Sequence, residues 1–128
     1  VLVAEDNLVN QKLAIRLLEK CGHSASIAIN GLEALDMLNG HEFDAVLMDI
    51  QMEGMDGFEA TANIRQRELQ SGGHIPIFAM TAHAMKGDAD RCLAAGMDGY
   101  VSKPIDFGQL RALLDGLRPA YEPEVSER

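Results

Sequence analysis

The chain has 128 residues, of which 47% are hydrophobic and 24% charged, and this length and composition fit one globular domain with a sizeable core. Its 20 acidic residues outnumber its 11 basic residues, and the formal net charge is -9. This charge argues against direct binding to a nucleic-acid backbone, because such binding needs clustered Lys and Arg. No apolar run approaches the ~20 residues that cross a bilayer, so we expect no membrane contact by this domain.

Five apolar runs alternate with five helical patterns along the chain. The predicted strands cover residues 1–4, 23–29, 44–49, 76–80 and 99–102, and the helical patterns cover 13–21, 34–38, 58–69, 89–93 and 110–117. Asn7 and Gly22 are residue types that begin and end helices, and they flank the first pattern. Strands that alternate with helices through short connections predict a parallel sheet with helices on both faces.

The two ends of the chain carry further expectations. The first predicted strand starts at residue 1 itself, so we expect the chain to be a piece of a longer polypeptide. Residues 119–128 are polar and contain two prolines. We expect a flexible tail or linker there, after a domain that covers residues 1–118.

Polar side chains end four of the five predicted strands. Glu5 and Asp6 follow the first strand, Asp49 ends the third, Thr81 follows the fourth and Lys103 follows the fifth. Because the carboxyl ends of parallel strands meet at one edge of a sheet, we expect these side chains to converge. Crowded carboxylates either protonate or bind a cation, and oxygen ligands of this kind suit Mg²⁺. An aspartate at such an edge can act as a nucleophile toward a phosphoryl group.

With these residues at these positions, the sequence resembles the response-regulator receiver domains of two-component phosphorelays. The motifs that carry the resemblance are V-L-V-A-E-D-N, V-L-M-D-I-Q-M, A-M-T-A and Y-V-S-K-P, and it extends from Val1 to about Leu117. The expected fold is α/β and flavodoxin-like, a doubly wound (βα)5 parallel sheet with strand order 2-1-3-4-5. The segments V-N-Q-K and T-A-H-A-M further resemble receivers attached to hybrid sensor histidine kinases.

The resemblance implies that Asp49 accepts a phosphoryl group as an acyl phosphate. It also implies that Glu5 and Asp6 hold Mg²⁺, with Mn²⁺ as an alternative, together with Asp49 and the backbone carbonyl of Gln51. The Gln51 side chain occupies a position that tunes phosphoryl hydrolysis in the family. Two departures from the family pattern lie here, since Glu5 replaces a more frequent Asp and Glu53 replaces a common proline. We expect neither departure to remove a required group.

The resemblance assigns the remaining strand-end residues to phosphoryl recognition and switching. Lys103 would pair with the phosphoryl oxygens, and the Lys103–Pro104 peptide resembles a cis bond of the family. Thr81 would contact the phosphoryl group and report its arrival, and Tyr100 would change rotamer with it. His83, two residues after Thr81, would either be a second tuning position or face solvent.

Each of these residues also has a simpler interpretation that the sequence leaves open. Asp49 could cap a loop or helix, Glu5 and Asp6 could be a solvated pair, Thr81 could be an N-cap, Lys103 could be a surface lysine, and Tyr100 could be a static aromatic residue. Their joint occurrence at the predicted strand ends favours the receiver interpretation.

As a receiver, the chain would accept its phosphoryl group from a histidine kinase or a histidine phosphotransfer domain, docked near the first helix from Asn7 to Leu18. It would assist its own phosphorylation and dephosphorylation. Because it would turn over no separate substrate, we do not expect it to be an enzyme in the usual sense. We expect a cytoplasmic monomer or weak dimer with no direct nucleic-acid partner. A parent protein anchored to the inner face of a membrane, such as a hybrid kinase, is compatible with this expectation.

The same residues disfavour three other functions. A pseudo-receiver that docks or dimerises without phosphorylation is the main alternative, and the complete set of site residues disfavours it. A phosphatase with Asp49 as nucleophile would need a general acid nearby, and Gln51 cannot serve as one. A flavin-binding domain is disfavoured because the acidic turn at residues 5–7 would repel a phosphate.

Overall fold

The computed structural model describes residues 1–52, 54–82 and 86–116 of the chain, without the side chains of Lys86, Asp88 and Ala89. Glu53, His83 and the segment from Leu117 to Arg128 therefore lie outside the described residues. The predicted tail at 119–128, its boundary at residue 118 and the tuning role of His83 accordingly stay predictions.

Strands and helices alternate through the described part of the chain, as the sequence predicted. The strands are β1 (Leu2–Ala4), β2 (Ser26–Ala28), β3 (Val46–Asp49), β4 (Ile77–Thr81) and β5 (Gly99–Ser102). The helices are α1 (Leu8–Lys20), α2 (Gly31–Gly40), α3 (Gly57–Ser71), α4 (Lys86–Ala94) and α5 (Phe107–Asp115). Strand β2 is shorter than the predicted 23–29, because only three of its residues pair with β1 at the edge of the sheet.

The five strands form one parallel sheet in the order β2-β1-β3-β4-β5, which confirms the predicted 2-1-3-4-5 winding. In the register, Ala4 of β1 pairs with Ala28 of β2 and with Met48 of β3. Thr81 of β4 pairs with Ser102 of β5 in the same way. The carboxyl ends of β1, β3, β4 and β5 therefore lie side by side along one edge of the sheet.

The sheet has a hydrophobic layer on each face. Strand residues alternate between the two layers, so that Val46 and Met48 face α2, α3 and α4 while Ala45 and Leu47 face α1 and α5. Strands buried on both sides need apolar residues at every position, which explains the unbroken apolar runs in the sequence.

Side-chain caps start the helices just beyond the strand ends. Asn7 accepts a hydrogen bond from the backbone N–H of Asn10 at 3.1 Å, which confirms the predicted start of α1. Gly22, with a φ of 88°, follows the last turn of this helix, also as predicted. The cap at Asn7 therefore starts α1 directly after the acidic residues at the end of β1.

The helix predicted over residues 58–69 is observed as α3, but its last apolar residue does not reach the core. Leu69 lies within α3, and 80% of its surface is exposed. The buried stripe of α3 ends at Ile64. Five further residues turn a helix by about 1.4 turns, which carries Leu69 to the solvent side.

Candidate functional site

Three carboxylates meet at the carboxyl edge of the sheet. One oxygen each from Glu5, Asp6 and Asp49 lies within 4.8 Å of the others. Glu5 and Asp49 are buried, and Asp6 is exposed. The predicted convergence of these residues is therefore confirmed, and Glu5 is not part of a solvated pair.

Asp49 ends β3 at the centre of the sheet with 2% of its surface exposed. Its Oδ1 accepts a hydrogen bond from the backbone N–H of Gln51 at 3.0 Å. Its Oδ2 lies 3.0 Å from the ammonium of Lys103. Both oxygens are thus held in place, and the carboxylate is oriented toward the loops at the edge of the sheet.

Lys103 joins two of the carboxylates. Its Nζ lies 3.1 Å from Glu5 Oε1 and 3.0 Å from Asp49 Oδ2, and 18% of its side chain is exposed. Burial lowers the pKa of Lys103, but the hydrogen bond and charge of Asp49 and those of Glu5 outweigh this effect, so the pKa is raised. The Lys103–Pro104 peptide is cis, as the resemblance implied. Lys103 is therefore largely buried between two carboxylates and is not a surface lysine.

Glu5 is the most deeply buried member of the cluster, with no exposed surface. Its Oε2 accepts a hydrogen bond from the backbone N–H of Asn7 at 3.0 Å. Its Oε1 lies 3.1 Å from the Lys103 ammonium and has no other polar partner among the described residues. Burial raises the pKa of Glu5, with a further increase from Asp49, and the contacts of Asn7 and Lys103 oppose this rise.

This donor set fits a hard divalent cation. All its ligand atoms are carboxylate oxygens, which Mg²⁺ prefers. The buried Glu5 Oε1 has the Lys103 ammonium as its one described polar neighbour, so it retains capacity to contact a cation. The hydrogen bond from Gln51 to Asp49 also brings the Gln51 backbone to the cluster, where the resemblance placed a carbonyl ligand.

Thr81 and Tyr100 lie on the neighbouring strands β4 and β5. Thr81 ends β4 with 2% of its surface exposed, and its backbone carbonyl accepts a hydrogen bond from the Lys103 N–H at 2.8 Å. Residues 83–85 separate Thr81 from Lys86 and lie outside the described residues, so the N-cap interpretation of Thr81 stays a prediction. Tyr100 is 38% exposed and sits two residues before Ser102, the partner of Thr81.

Gln11 is a site residue that the sequence did not reveal. Its side-chain Nε2 donates a hydrogen bond to the backbone carbonyl of Glu5 at 2.7 Å, which ties α1 to the acidic loop. A glutamine in the second turn of a helix looks like any solvated polar residue. Only the fold shows that it faces the preceding loop.

None of the helices in the described ranges is long and apolar enough to cross a membrane. The fold and the site together define a class of protein: a parallel five-stranded α/β domain with an acidic cluster and a lysine at the carboxyl edge of its sheet.

Residues 1–115 match the family model of the response regulator receiver domain, and the chain belongs to this family. Among curated relatives, it is 52% identical over 111 residues to hybrid signal transduction histidine kinase I of Dictyostelium discoideum, covering 83% of this chain and 6% of the relative. It is 46% identical over 114 residues to the hybrid signal transduction protein dokA of the same organism, covering 89% and 7%. The chain thus spans less than a tenth of these relatives.

Two solved structures show the same fold. The receiver domain of the sensor histidine kinase PA1611 from Pseudomonas aeruginosa, with magnesium coordinated in its active-site cleft, is 36% identical with a TM-score of 0.79, covering 89% of this chain and 92% of that one. The receiver of the Saccharomyces cerevisiae response regulator Ssk1, in complex with the histidine phosphotransfer protein Ypd1, is 27% identical with a TM-score of 0.84, covering 94% and 92%.

Proposed function

We propose that this receiver domain accepts a phosphoryl group on Asp49 in a reaction that depends on Mg²⁺. The arrangement of Lys103 carries this proposal. Its ammonium lies 3.0 Å from Asp49 Oδ2, beside a cluster in which three carboxylate oxygens lie within 4.8 Å. A nucleophilic oxygen, a cation site and a fixed positive charge are what phosphoryl transfer needs.

The chemistry follows from these positions. An oxygen of Asp49 would attack the phosphorus of a partner's phosphohistidine, so that the O–P bond forms as the N–P bond breaks. The electron pair of the broken bond would stay on the imidazole nitrogen. Lys103 and the hydroxyl of Thr81 would contact the oxygens of the transferred group.

Glu5, Asp6 and Asp49 would hold Mg²⁺ together with the backbone carbonyl of Gln51, and Mn²⁺ would fit the same oxygens. When bound, the cation would offset negative charge on the phosphoryl oxygens. The magnesium in the cleft of the PA1611 receiver and the buried, incompletely satisfied Glu5 Oε1 of this chain support this role.

Phosphorylation would be read out through Thr81 and Tyr100. A phosphoryl group on Asp49 would draw the Thr81 hydroxyl toward it and shift an existing equilibrium of the surface formed by α4, β5 and α5. Tyr100 lies on β5 within this surface, and 38% of its surface is exposed. Gln51 and His83 would tune how long the phosphoryl group persists.

The donor would be a histidine kinase or a histidine phosphotransfer domain. The Ssk1 receiver, which shares this fold, is known in complex with such a phosphotransfer protein. Leu8 and Val9, which are 62% and 73% exposed at the start of α1, would belong to the docking surface. By analogy with its relatives, the parent would be a hybrid histidine kinase whose receiver is a cytoplasmic monomer or weak dimer. The domain would promote its own phosphorylation and hydrolysis without a separate substrate.

Intact mass spectrometry tests the proposal directly. The chain is incubated with acetyl phosphate and Mg²⁺, with EDTA in place of Mg²⁺, and as Asp49→Asn. We expect the mass of one phosphoryl group only in the wild type with Mg²⁺. If a folded wild type gains no phosphoryl group from acetyl phosphate or from a phosphohistidine donor, the chain is a docking module that works without phosphorylation.

A further inference from the structure

The loop between β3 and α3, described at residues 50–52 and 54–56, adjoins the proposed phospho-acceptor. It starts directly after Asp49, and the backbone N–H of Gln51 holds Asp49 Oδ1 at 3.0 Å. Ile50 and Met52 of the loop are buried, with 8% and 7% of their surfaces exposed. Because Gln51 donates to Asp49, a shift of the Gln51 backbone would also move the Asp49 carboxylate.

Gly57, the first residue of α3, confines the loop from its C-terminal side. A methyl group built on Gly57 would lie 2.5 Å from the Asp49 carbonyl oxygen and 2.7 Å from Ile50 Cα. Neither distance is compatible with a side chain, because both neighbours are backbone atoms. Gly57 directly follows this loop in the sequence, so its contact restrains only the C-terminal end of the loop.

Gly31, the first residue of α2, confines the loop from a different part of the fold. A methyl group on Gly31 would lie 2.8 Å from the Met55 carbonyl oxygen, 3.0 Å from Met55 Cγ and 3.1 Å from Ala60 Cβ. Gly31 is not among the glycines with positive φ, so its own backbone does not require glycine. Alanine is also the better helix former. The close approach to Met55 is the feature that excludes a side chain.

We propose that Gly31 is a positioning residue for the Mg²⁺ and phosphoryl site, acting through Met55 and the β3–α3 loop. This inference rests on the proposed function of that site. A side chain at position 31 would push Met55 and shift the loop by a few tenths of an ångström. The Gln51 backbone and the Asp49 carboxylate would then lose their alignment with Glu5 and Asp6.

The test compares Gly31→Ala with Gly40→Ala in the whole 128-residue chain. Gly40 ends the same helix, and a methyl group there meets nothing within 4 Å. Calorimetric titration gives the Kd for Mg²⁺, and amide NMR shifts of the Mg²⁺-free proteins report on the loop. We expect Gly31→Ala to bind Mg²⁺ about 10-fold more weakly, as when a supporting contact of a metal ligand is lost. Its amide signals from Gln51 to Asp56 should shift, and Gly40→Ala should match the wild type in both measurements.

A second variant separates positioning from general destabilisation. Asn30→Ala removes the cap that accepts the Glu33 N–H at 2.8 Å, and it loosens the same helix start without adding an atom next to Met55. We expect this variant to unfold more readily and yet to keep the wild-type Kd for Mg²⁺. A similar loss of Mg²⁺ affinity in Asn30→Ala would overturn the inference, because stability alone would then explain it.

The remaining outcomes are also decisive. An unchanged Kd in a folded Gly31→Ala protein would overturn the positioning role and leave the proposed function intact. Failure of Gly31→Ala to fold, with Gly40→Ala folded, would show that Gly31 serves the fold and not the site. No Mg²⁺ binding by the wild type would overturn both this inference and the proposed function.

Discussion

Removal of the Lys103 ammonium should make the buried carboxylates repel each other. In the wild type this ammonium lies 3.1 Å from Glu5 Oε1 and 3.0 Å from Asp49 Oδ2, and both carboxylates are almost fully buried. Lys103→Met keeps most of the apolar stem and removes the charge. Breaking a buried ion pair costs about 3–5 kcal/mol. Since 18% of the lysine side chain is exposed, we expect a loss of about 3 kcal/mol in the free energy of unfolding at neutral pH.

The loss should depend on pH and on Mg²⁺ in a defined direction. Burial already raises the pKa of Glu5 above its ordinary value of 4.5, and Lys103 partly opposes this rise. In Lys103→Met the pKa of Glu5 rises further. The loss of stability is therefore present above this raised pKa, and it decreases as the pH falls through this pKa and Glu5 is protonated. Mg²⁺ should reduce the loss as well, because a bound cation takes the place of the missing charge.

Urea unfolding followed by circular dichroism measures these effects at neutral pH, at about pH 5 and with added Mg²⁺. Lys12→Met, at an exposed position of α1, is the matched control and should change stability by no more than about 0.5 kcal/mol. A Lys103→Met protein as stable as the wild type would refute the reasoning. The same holds for a loss that neither acid nor Mg²⁺ reduces.

Three further variants test other parts of the structure by the same unfolding assay. Thr61→Val should raise the free energy of unfolding by about 1 kcal/mol, because the buried Thr61 Oγ1 has no hydrogen-bond partner in the described part of the chain. An equal or lower stability would mean that the hydroxyl does have a partner. The raised pKa of Glu5 makes the folded wild type bind more protons than the unfolded chain above pH 4.5, so its stability should fall as the pH rises from there. Glu5→Gln should remove this fall. Parallel pH profiles of the two proteins would contradict the pKa shift. Arg65→Met should cost about 2 kcal/mol, because its guanidinium donates to the carbonyls of Gly96 and Ile75 at 2.9 Å, and a cost below about 0.5 kcal/mol would make these bonds unimportant.

The sequence was sufficient to predict the fold and the convergence of several charged residues at one edge of the sheet. Apolar runs of four or five residues, separated by helical patterns, are explained by a parallel sheet buried on both faces, and few windings of such a sheet exist. Once the strands were located, the residues that follow them had to meet at one edge. Glu5, Asp49 and Lys103 could therefore be grouped although they are far apart in the chain.

The sequence was insufficient wherever an outcome depended on distance or on side-chain direction. The exposed Leu69 satisfied a loose apolar pattern, but the helical rotation after Ile64 directs it to solvent. Gln11 lacked any signal of its role, because its hydrogen bond to the Glu5 carbonyl depends on how α1 leaves the sheet. The placement of His83 and of residues 119–128 still rests on sequence alone.

Local chemistry and periodicity thus determined which elements form, in which order they follow, and which charged groups share the edge of the sheet. The tertiary structure alone decided that Lys103 bridges Glu5 and Asp49 and that Gly31 has no room for a side chain beside the Met55 backbone. The physical reason is that the burial of apolar residues tolerates shifts of about an ångström, whereas ion pairs, metal ligation and steric exclusion change with tenths of an ångström. That precision arises only when elements distant in the sequence are packed together.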